Sequence, residues 1–288
     1  MKLLKIFVLC LSLILSACNG GKKSSSSPDP QINNKKADPA RSCVPEDELL
    51  ARNIIAGQLV QQNDPDSKMV LMIHSNGQLC TATAIRKNVI LTAAHCIGGG
   101  VDVTFAAFYS SLSCESGYNK YEHRQKVSKI YIHEEYRASA PADQMTGDIA
   151  LVILQGEIPS GYEMFDIANP SLIDNQSDMY LYGYGRIRSG EDSGAGAGML
   201  RKTSLDSSAY SIDLVNKKVK VDQSNGTGIC QGDSGGPAFV NVGNQKMILG
   251  INSYVRGPES DICSRESYQT LAYAYLAWIN SKIDPFGK

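Results

Sequence analysis

From residue 69 onward the chain is a succession of short β-like runs separated by turn-forming residues. Each run either alternates apolar with polar residues or is wholly apolar, and glycine, asparagine or serine interrupts the pattern between runs. The predicted strands are residues 69–73, 79–85, 88–92, 101–105, 126–132, 149–154, 179–182, 217–221, 238–240 and 247–251. Many short strands at this spacing predict an all-β sandwich or barrel.

One helix is predicted, over residues 271–283, because Leu276, Trp278 and Ile279 give it an apolar face. Residues 189–198 are rich in glycine, alanine and serine, which predicts a surface loop. A chain of 288 residues is long enough for a well-buried core. Its net charge of -1 gives no indication of a nucleic-acid partner.

The first eighteen residues have the order of a signal peptide. Lys2 and Lys5 are followed by an apolar run, residues 6–15, that is too short to span a membrane comfortably. Leu-Ser-Ala then precedes Cys18, and this ending resembles the bacterial lipobox. The resemblance implies that residues 1–17 are a lipoprotein signal peptide and that Cys18 carries a lipid. An ordinary signal peptide, with Cys18 incidental, is the alternative.

Residues 19–40 are polar and hold almost nothing apolar, which predicts a flexible tether between the lipid and a folded domain. The expected location is therefore outside the cytoplasm. The chain would be anchored by its lipid to a membrane of a bacterial cell envelope, or released after processing.

Eight cysteines are present, and Cys10 and Cys18 belong to the signal peptide and the lipid site. An even remainder in an exported chain favours disulfides. The six remaining cysteines are Cys43, Cys80, Cys96, Cys114, Cys230 and Cys263. A zinc site is the alternative, but no C-x-x-C spacing supports it, and no metal or other cofactor is expected.

Three separated segments carry chemistry: Thr-Ala-Ala-His95-Cys, Asp148-Ile-Ala-Leu and Gly-Asp-Ser234-Gly-Gly-Pro. A serine hydroxyl is a poor nucleophile unless a base takes its proton, and that base needs an acid to hold its tautomer. The order His95, Asp148, Ser234 is the order of the chymotrypsin triad.

These segments resemble those of the trypsin/chymotrypsin family of serine proteases, and the match runs from about Ile54 to the predicted terminal helix. The resemblance implies two six-stranded antiparallel β-barrels packed face to face, with a C-terminal α-helix. It also implies that residues 54–288 form one protease domain of two barrels, a monomer that acts on polypeptides.

The resemblance implies a role for each residue of the site. His95 would take the proton of Ser234, Asp148 would hold His95, and Ser253 would lie near the Asp148 carboxylate. The N–H groups of Gly232 and Ser234 would form the oxyanion hole. The implied activity is that of a serine endopeptidase, a hydrolase that works through an acyl-enzyme.

The resemblance leaves two specificities open. Gly228 aligns with the base of the family's specificity pocket, so the acid that binds arginine or lysine is absent. Ser253, Tyr254 and Val255 resemble the substrate-binding strand, where the bulk of Val255 would shorten the pocket. These residues favour a small or medium aliphatic side chain before the cut. Glu266 aligns with the back wall and would permit a basic or mixed preference.

The run Ile54-Ile-Ala-Gly resembles the terminus that the family's zymogens free on activation. By resemblance the Ile54 ammonium would insert beside Asp233, which makes residues 18–53 a lipid tether and propeptide. Asn53 departs from the basic residue that is more usual before the cut, so the activating protease is open. An uncut strand at this junction is the alternative.

The resemblance also implies how the cysteines pair. Cys80 with Cys96 would brace the histidine loop, and Cys230 with Cys263 would brace the specificity pocket. Cys43 with Cys114 would keep the propeptide attached after cleavage.

Two other functions stay open. A surface-binding or adhesion protein can reuse a fold without catalysis, although a complete triad argues against that. An esterase would use the same chemistry on small esters, although a peptide-binding strand favours polypeptides.

Overall fold

The computed structural model describes residues 57–61, 63–111, 120–187 and 197–283. Antiparallel β-structure dominates these ranges. The strands are β1 (Gln58–Leu59), β2 (Leu71–Ser75), β3 (Gln78–Arg86), β4 (Val89–Thr92), β5 (Thr104–Ser111), β6 (Lys120–Ile132), β7 (Ala150–Leu154), β8 (Met179–Gly183), β9 (Arg201–Leu205), β10 (Tyr210–Asp213), β11 (Lys218–Asp222), β12 (Pro237–Val242), β13 (Gln245–Arg256) and β14 (Glu266–Leu271). The helices are 3-10 turns at Pro65–Lys68, Ala94–Cys96, Val101–Val103, Ala142–Gln144, Pro170–Leu172, Ser207–Ala209 and Ala272–Tyr275, and the α-helix α1 at Leu276–Ile283.

Six strands close into a barrel in the order β2-β3-β4-β7-β6-β5, and β5 pairs back onto β2. Its central strands β4 and β7 are wholly apolar apart from Thr92, and every residue in them is buried. A fully apolar run is what a strand covered on both faces requires. The first of the two barrels that the resemblance implies is therefore present.

The other eight strands form one sheet in the order β1-β9-β8-β12-β13-β14-β11-β10. The expected second six-stranded barrel is not confirmed, because this sheet is not closed. In the described ranges its edge strand β1 is two residues long and pairs only with β9, while β10 at the other edge pairs only with β11. Because these two short edge strands pair with their inner neighbours and not with each other, the sheet stays open.

The C-terminal helix begins with a 3-10 turn, Ala272–Tyr275, and continues as α1. Its buried residues are Ala272, Tyr275, Ile279 and Ile283, and the last three are spaced four apart on one face. Of the predicted apolar face, Ile279 is buried, whereas Leu276 and Trp278 are only partly buried. In the described residues no helix combines the length and apolarity that crossing a membrane requires.

Several expectations fall outside the described residues. These are the signal peptide, the lipid site Cys18, the activation terminus Ile54, the pair Cys43–Cys114 and most of the predicted loop at 189–198.

Candidate active site

His95 and Asp148 are brought together by the pairing of two barrel strands. Thr92 at the end of β4 lies opposite Ala150 at the start of β7, so the residues just beyond these strand ends meet at one edge of the barrel. His95 lies in the 3-10 turn after β4, and Asp148 lies two residues before β7. The His95 ring Nδ1 is 2.8 Å from Asp148 Oδ2, and the His95 backbone N–H donates to Asp148 Oδ1 at 2.9 Å.

The Asp148 carboxylate is almost wholly buried, with 1% of the residue exposed. The Ser253 hydroxyl of β13 donates to Asp148 Oδ2 at 2.5 Å. Burial raises the pKa of a carboxyl, but the hydrogen bonds from His95 and Ser253 and the charge of His95 outweigh it and hold the pKa of Asp148 below its ordinary value. Asp148 is therefore ionised at neutral pH and orients the imidazole.

Ser234 lies on the turn that leads into β12, and this turn is fixed against the barrel by its backbone. The Ser234 carbonyl accepts a hydrogen bond from the Thr81 N–H of β3 at 2.8 Å. The next residue, Gly235, has a φ of 79°. A methyl group on it would lie 2.1 Å from Thr92 Oγ1 and 3.0 Å from the Ala93 nitrogen. Only a glycine permits this approach, which holds the serine turn against the chain leading into the histidine turn.

The structure thus joins His95, Asp148 and Ser253 by direct hydrogen bonds and places the Ser234 turn at the same edge of the barrel. The hydrogen bonds of the described residues do not include one between the Ser234 hydroxyl and the His95 ring. Such contacts are often long before substrate binds and tighten in the complex.

The expected oxyanion donors lie on the same turn. Gly232 has a φ of 98°, and its carbonyl accepts from Thr81 Oγ1 at 3.0 Å. A methyl group on Gly232 would lie 2.9 Å from the Gly185 Cα. Among the described residues, the N–H groups of Gly232 and Ser234 make no hydrogen bond with the protein. Both donors are therefore free to bind a negatively charged oxygen.

Asp233 is completely buried between these two residues. Its Oδ1 accepts from the Gly185 N–H and its Oδ2 from the Cys230 N–H, both at 2.8 Å. Burial raises the pKa of Asp233 to about 6, against the opposing effect of these hydrogen bonds and of the nearby Arg201. Arg201, which is also fully buried, was not singled out from the sequence.

Two disulfides brace the site, and they are the pairs that the resemblance implies for these four cysteines. Cys80–Cys96 ties β3 to the histidine turn, and Cys230–Cys263 ties the approach to Ser234 to the segment before β14. The sulfurs of Cys80 and Cys96 and a ring nitrogen of His95 lie within 4.8 Å of one another. Sulfurs held in a disulfide are not thiolate ligands, so this cluster does not fit a metal.

The expected base of the specificity pocket is filled by a residue that sequence reasoning missed. The Gln223 side chain is fully buried, and a methyl group on Gly228 would lie 2.1 Å from its carboxamide. Gln223 Oε1 accepts from the Ile229 N–H at 2.7 Å, and Nε2 donates to the Cys263 carbonyl at 2.7 Å. The space that a side chain at position 228 would occupy therefore belongs to a fixed, uncharged amide.

Glu266 is engaged by its own strand neighbours. Its carboxylate lies 2.6 Å from Lys220 Nζ and accepts from the Tyr268 hydroxyl at 2.9 Å. The hydrogen bonds from Lys220 and Tyr268 hold the pKa of Glu266 below its ordinary value. Its negative charge is thus already paired with a lysine ammonium.

The expected substrate strand, Ser253, Tyr254 and Val255, is the end of β13. Strand β12 pairs with β13 only as far as Ile251, opposite Pro237. Beyond that point β13 pairs with β14 on one side, and in the described part of the chain it has no strand partner on the other. An extended peptide can add to such an edge through main-chain hydrogen bonds.

Comparisons with known proteins agree with this geometry. The family model described as Trypsin matches residues 54–279. The chain is 27% identical over 245 residues to chymotrypsin-like elastase family member 1 of Rattus norvegicus, covering 80% of this chain and 89% of the relative. It is 28% identical over 245 residues to the Felis catus protein of the same name, covering 80% and 89%.

A solved structure named "Neuropsin, a serine protease expressed in the limbic system of mouse brain" is similar in fold. It has a TM-score of 0.60 at 22% identity and covers 79% of this chain and 99% of its own.

Proposed function

Since the chain belongs to the trypsin family and is a serine endopeptidase, we propose that Ser234, His95 and Asp148 are its catalytic triad. The observation that carries the proposal is the buried carboxylate of Asp148, which accepts hydrogen bonds from both the His95 ring and its backbone beside the fixed Ser234 turn. A neutral imidazole held in this way has its other nitrogen available as a base.

In the proposed reaction Ser234 Oγ attacks the carbonyl carbon of a peptide bond while His95 takes its proton. The tetrahedral oxyanion is bound by the N–H groups of Gly232 and Ser234, each of which contributes about 3 kcal/mol of transition-state stabilisation. His95 then protonates the departing amine. Water, deprotonated by His95 in the same way, hydrolyses the acyl-enzyme and restores Ser234.

The substrate is proposed to be an extended polypeptide that adds to the edge of β13 at Ser253, Tyr254 and Val255. The uncharged Gln223 amide against Gly228 supports a shallow pocket that takes a small or medium aliphatic side chain. Two of the similar proteins are named elastases, and the elastase pocket is a small one.

Glu266 is the competing element, because a carboxylate in the pocket would select basic side chains. Its pairing with Lys220 argues against that role. A panel of peptides that vary only in the residue before the cut, valine and alanine against lysine and phenylalanine, distinguishes the two specificities.

The chain is further proposed to be made as a precursor whose domain starts at Ile54. The buried Asp233, with its pKa raised to about 6, supports this, because a new ammonium beside it would offset the cost of its burial. The N-terminal sequence of the active protein tests the proposal. An intact bond between Asn53 and Ile54 in fully active enzyme would rule it out.

Residues 1–17 and 18–53 are proposed to be a lipoprotein signal peptide and a lipid tether with propeptide. Export to the cell envelope supports disulfide formation, and the described part of the domain contains two disulfides. Mass spectrometry of the mature chain checks the lipid on Cys18. An unmodified terminus at another residue would defeat the lipid proposal and leave the protease unaffected.

The catalytic proposal is tested by comparing Ser234→Ala with a matched serine variant remote from the site, Ser128→Ala, whose hydroxyl bonds a barrel carbonyl. We expect Ser234→Ala to lose peptide hydrolysis and labelling by a fluorophosphonate, while Ser128→Ala keeps both. Labelled protein that cleaves only small esters would favour an esterase. Wild-type protein that neither labels nor cleaves would favour a binding protein.

A further inference from the structure

A cavity of about 650 Å³ adjoins the proposed active site. One wall includes Thr146, two residues before Asp148, and another includes Tyr254, which directly follows Ser253. Because Asp148 and Ser253 are hydrogen-bonded to each other, the cavity is bordered by the segments that hold the catalytic acid.

The side chains that line this cavity carry more positive than negative charge. Its charged residues are Lys217, Lys218, Lys220 and Arg256 on one hand and Glu135 and Asp213 on the other. Two of the lysines are paired: Lys217 lies 2.8 Å from Glu135, and Lys220 lies 2.6 Å from Glu266. Lys218 and Arg256 also act electrostatically on carboxylates, those of Asp213 and Glu266 respectively, and both lie over aromatic rings.

Tyr254 and Tyr268 stack with their ring centroids 4.7 Å apart and nearly parallel. Lys218 Nζ lies 5.0 Å from the Tyr254 centroid and donates to the Tyr254 hydroxyl at 3.0 Å. The Arg256 guanidinium lies 5.8 Å from the Tyr268 centroid. Contacts of this kind between a cation and a tyrosine ring fix the position of the cation on the cavity wall.

Tyr254 and Arg256 also belong to the edge of β13 at which a peptide is proposed to add as a strand. A peptide bound there passes the cavity, and every second side chain of an extended peptide points to the same side. We infer that the cavity binds a substrate carboxylate, from a glutamate or aspartate two to four residues before the cut. Lys218 and Arg256 are the specificity-determining residues.

This inference rests on the proposed function, and its test separates the two. Activated enzyme is given pairs of peptides that share one cleavable bond and differ only in glutamate or glutamine at the second, third or fourth residue before it. We expect kcat/KM to favour the glutamate peptide of at least one pair by about five- to tenfold at low ionic strength. At about 1 M salt, where the screening length is about 3 Å, the ratio should approach one.

Two variants identify the residues. The double variant Lys218→Met with Arg256→Gln should bring the ratio to one, and Lys218→Glu should reverse it, so that a peptide with lysine at that position is preferred over glutamine. A merely structural role for Lys218 would not reverse a charge preference. Lys129→Met, which alters a lysine over the Tyr131 ring on the barrel, should leave the ratio as in the wild type.

Equal cleavage of every glutamate and glutamine pair by wild-type enzyme would overturn the inference and leave the peptidase proposal standing. A preference that survives in both Lys218 variants would also overturn it. Failure to cleave any peptide, together with failure of Ser234 to react with a fluorophosphonate, would overturn the proposed function and this inference with it.

Discussion

The Ser253 hydroxyl donates a 2.5 Å hydrogen bond to the Asp148 carboxylate, although one residue belongs to the open sheet and the other to the closed barrel. The bond stabilises the ionised form of a carboxyl group that is almost fully buried. A hydrogen bond to a charged group contributes about 1.5 to 3 kcal/mol. We therefore propose that Ser253 is a positioning residue whose removal affects the proposed catalytic acid, Asp148, and not the proposed nucleophile, Ser234.

Ser253→Ala should lower kcat by about tenfold or more, because Asp148 loses a donor to its charged form and holds His95 less firmly. KM for a short peptide should change much less. Steady-state kinetics with Ser128→Ala as the control measure the effect, and unchanged kcat would contradict the role given to Ser253.

Asp148→Asn should lower kcat by about 10⁴-fold while the protein stays folded. The amide is nearly the same size as the carboxylate but no longer favours the imidazole tautomer that accepts the Ser234 proton. Asp166→Asn, at an exposed carboxylate beside Arg86, is the matched control. Retention of more than a tenth of wild-type kcat in Asp148→Asn would argue against the triad.

The uncleaved chain should become less stable as the pH rises from about 4 to about 6. The pKa of Asp233 is raised in the folded state, to about 6, so between these pH values the folded chain holds a proton that the unfolded chain has lost. The free energy of unfolding therefore falls with increasing pH across this window, by at most about 3 kcal/mol.

Urea unfolding at several pH values, with wild type compared to Asp233→Asn, measures this effect. The readout is the slope of the free energy of unfolding against pH. This slope should disappear in Asp233→Asn, because a carboxamide cannot titrate, and the comparison does not depend on the absolute stability of the variant. Identical slopes in the two proteins would show that Asp233 does not titrate in this range.

Gln223→Ala should destabilise the domain by about 2 to 4 kcal/mol, because buried backbone groups of Ile229 and Cys263 lose their partners. It should also deepen the pocket at Gly228 and shift cleavage towards longer side chains. Thermal unfolding and the peptide panel measure the two effects, with the exposed Gln155→Ala as control. If Gln223→Ala keeps the wild-type cleavage profile, Gln223 does not limit the depth of the specificity pocket.

Gly235→Ala should abolish most activity and destabilise the fold by about 2 kcal/mol or more. A methyl group there would meet Thr92 Oγ1 and the Thr81 carbonyl, and the backbone has the left-handed φ that alanine adopts only with strain. Gly243→Ala is the control, because Gly243 lies in a hairpin with the same sign of φ but has open space around it. Any loss in Gly235→Ala beyond that in Gly243→Ala is then due to the steric clash. Equal loss of activity in the two variants would assign the effect to backbone strain alone.

Sequence reasoning identified the parts of this site that are encoded locally. The motifs around the proposed triad residues His95, Asp148 and Ser234 are each contained within a few residues, and the predicted strands at 88–92 and 149–154 are present as β4 and β7. These features depend on neighbours in the chain, which the sequence displays.

The features that sequence reasoning missed depend on distant partners. Gln223 follows β11 and continues its alternation on the face of the buried Val219 and Val221. A polar side chain on that face can be fully buried here because Ile229 and Cys263 offer it backbone groups, which the sequence does not display. Arg201 is buried for a similar reason, beside Asp233 and on the Met199 carbonyl. Glu266 aligned with a pocket wall, but Lys220 on the next strand binds its carboxylate.

Closure of the second sheet likewise could not be inferred from alternation alone. The pattern predicts strands, but whether the first and last strands meet depends on how far each edge extends, and β1 and β10 are short. Strand β5 begins at Thr104 and not at the predicted residue 101. The reason is local, because Val101–Val103 forms a 3-10 turn after the glycines that precede it.

The histidine and its proposed acid come from the closed barrel, while the serine turn and Ser253 come from the open sheet. Gly235 is one of the points at which the two halves are in atomic contact. Neither half alone holds all three residues of the proposed triad, so peptide hydrolysis requires the two halves to be packed together. On gradual heating, hydrolysis should be lost before the strands unfold. A displacement of about 1 Å between the two halves lowers the rate strongly, while both sheets can stay folded.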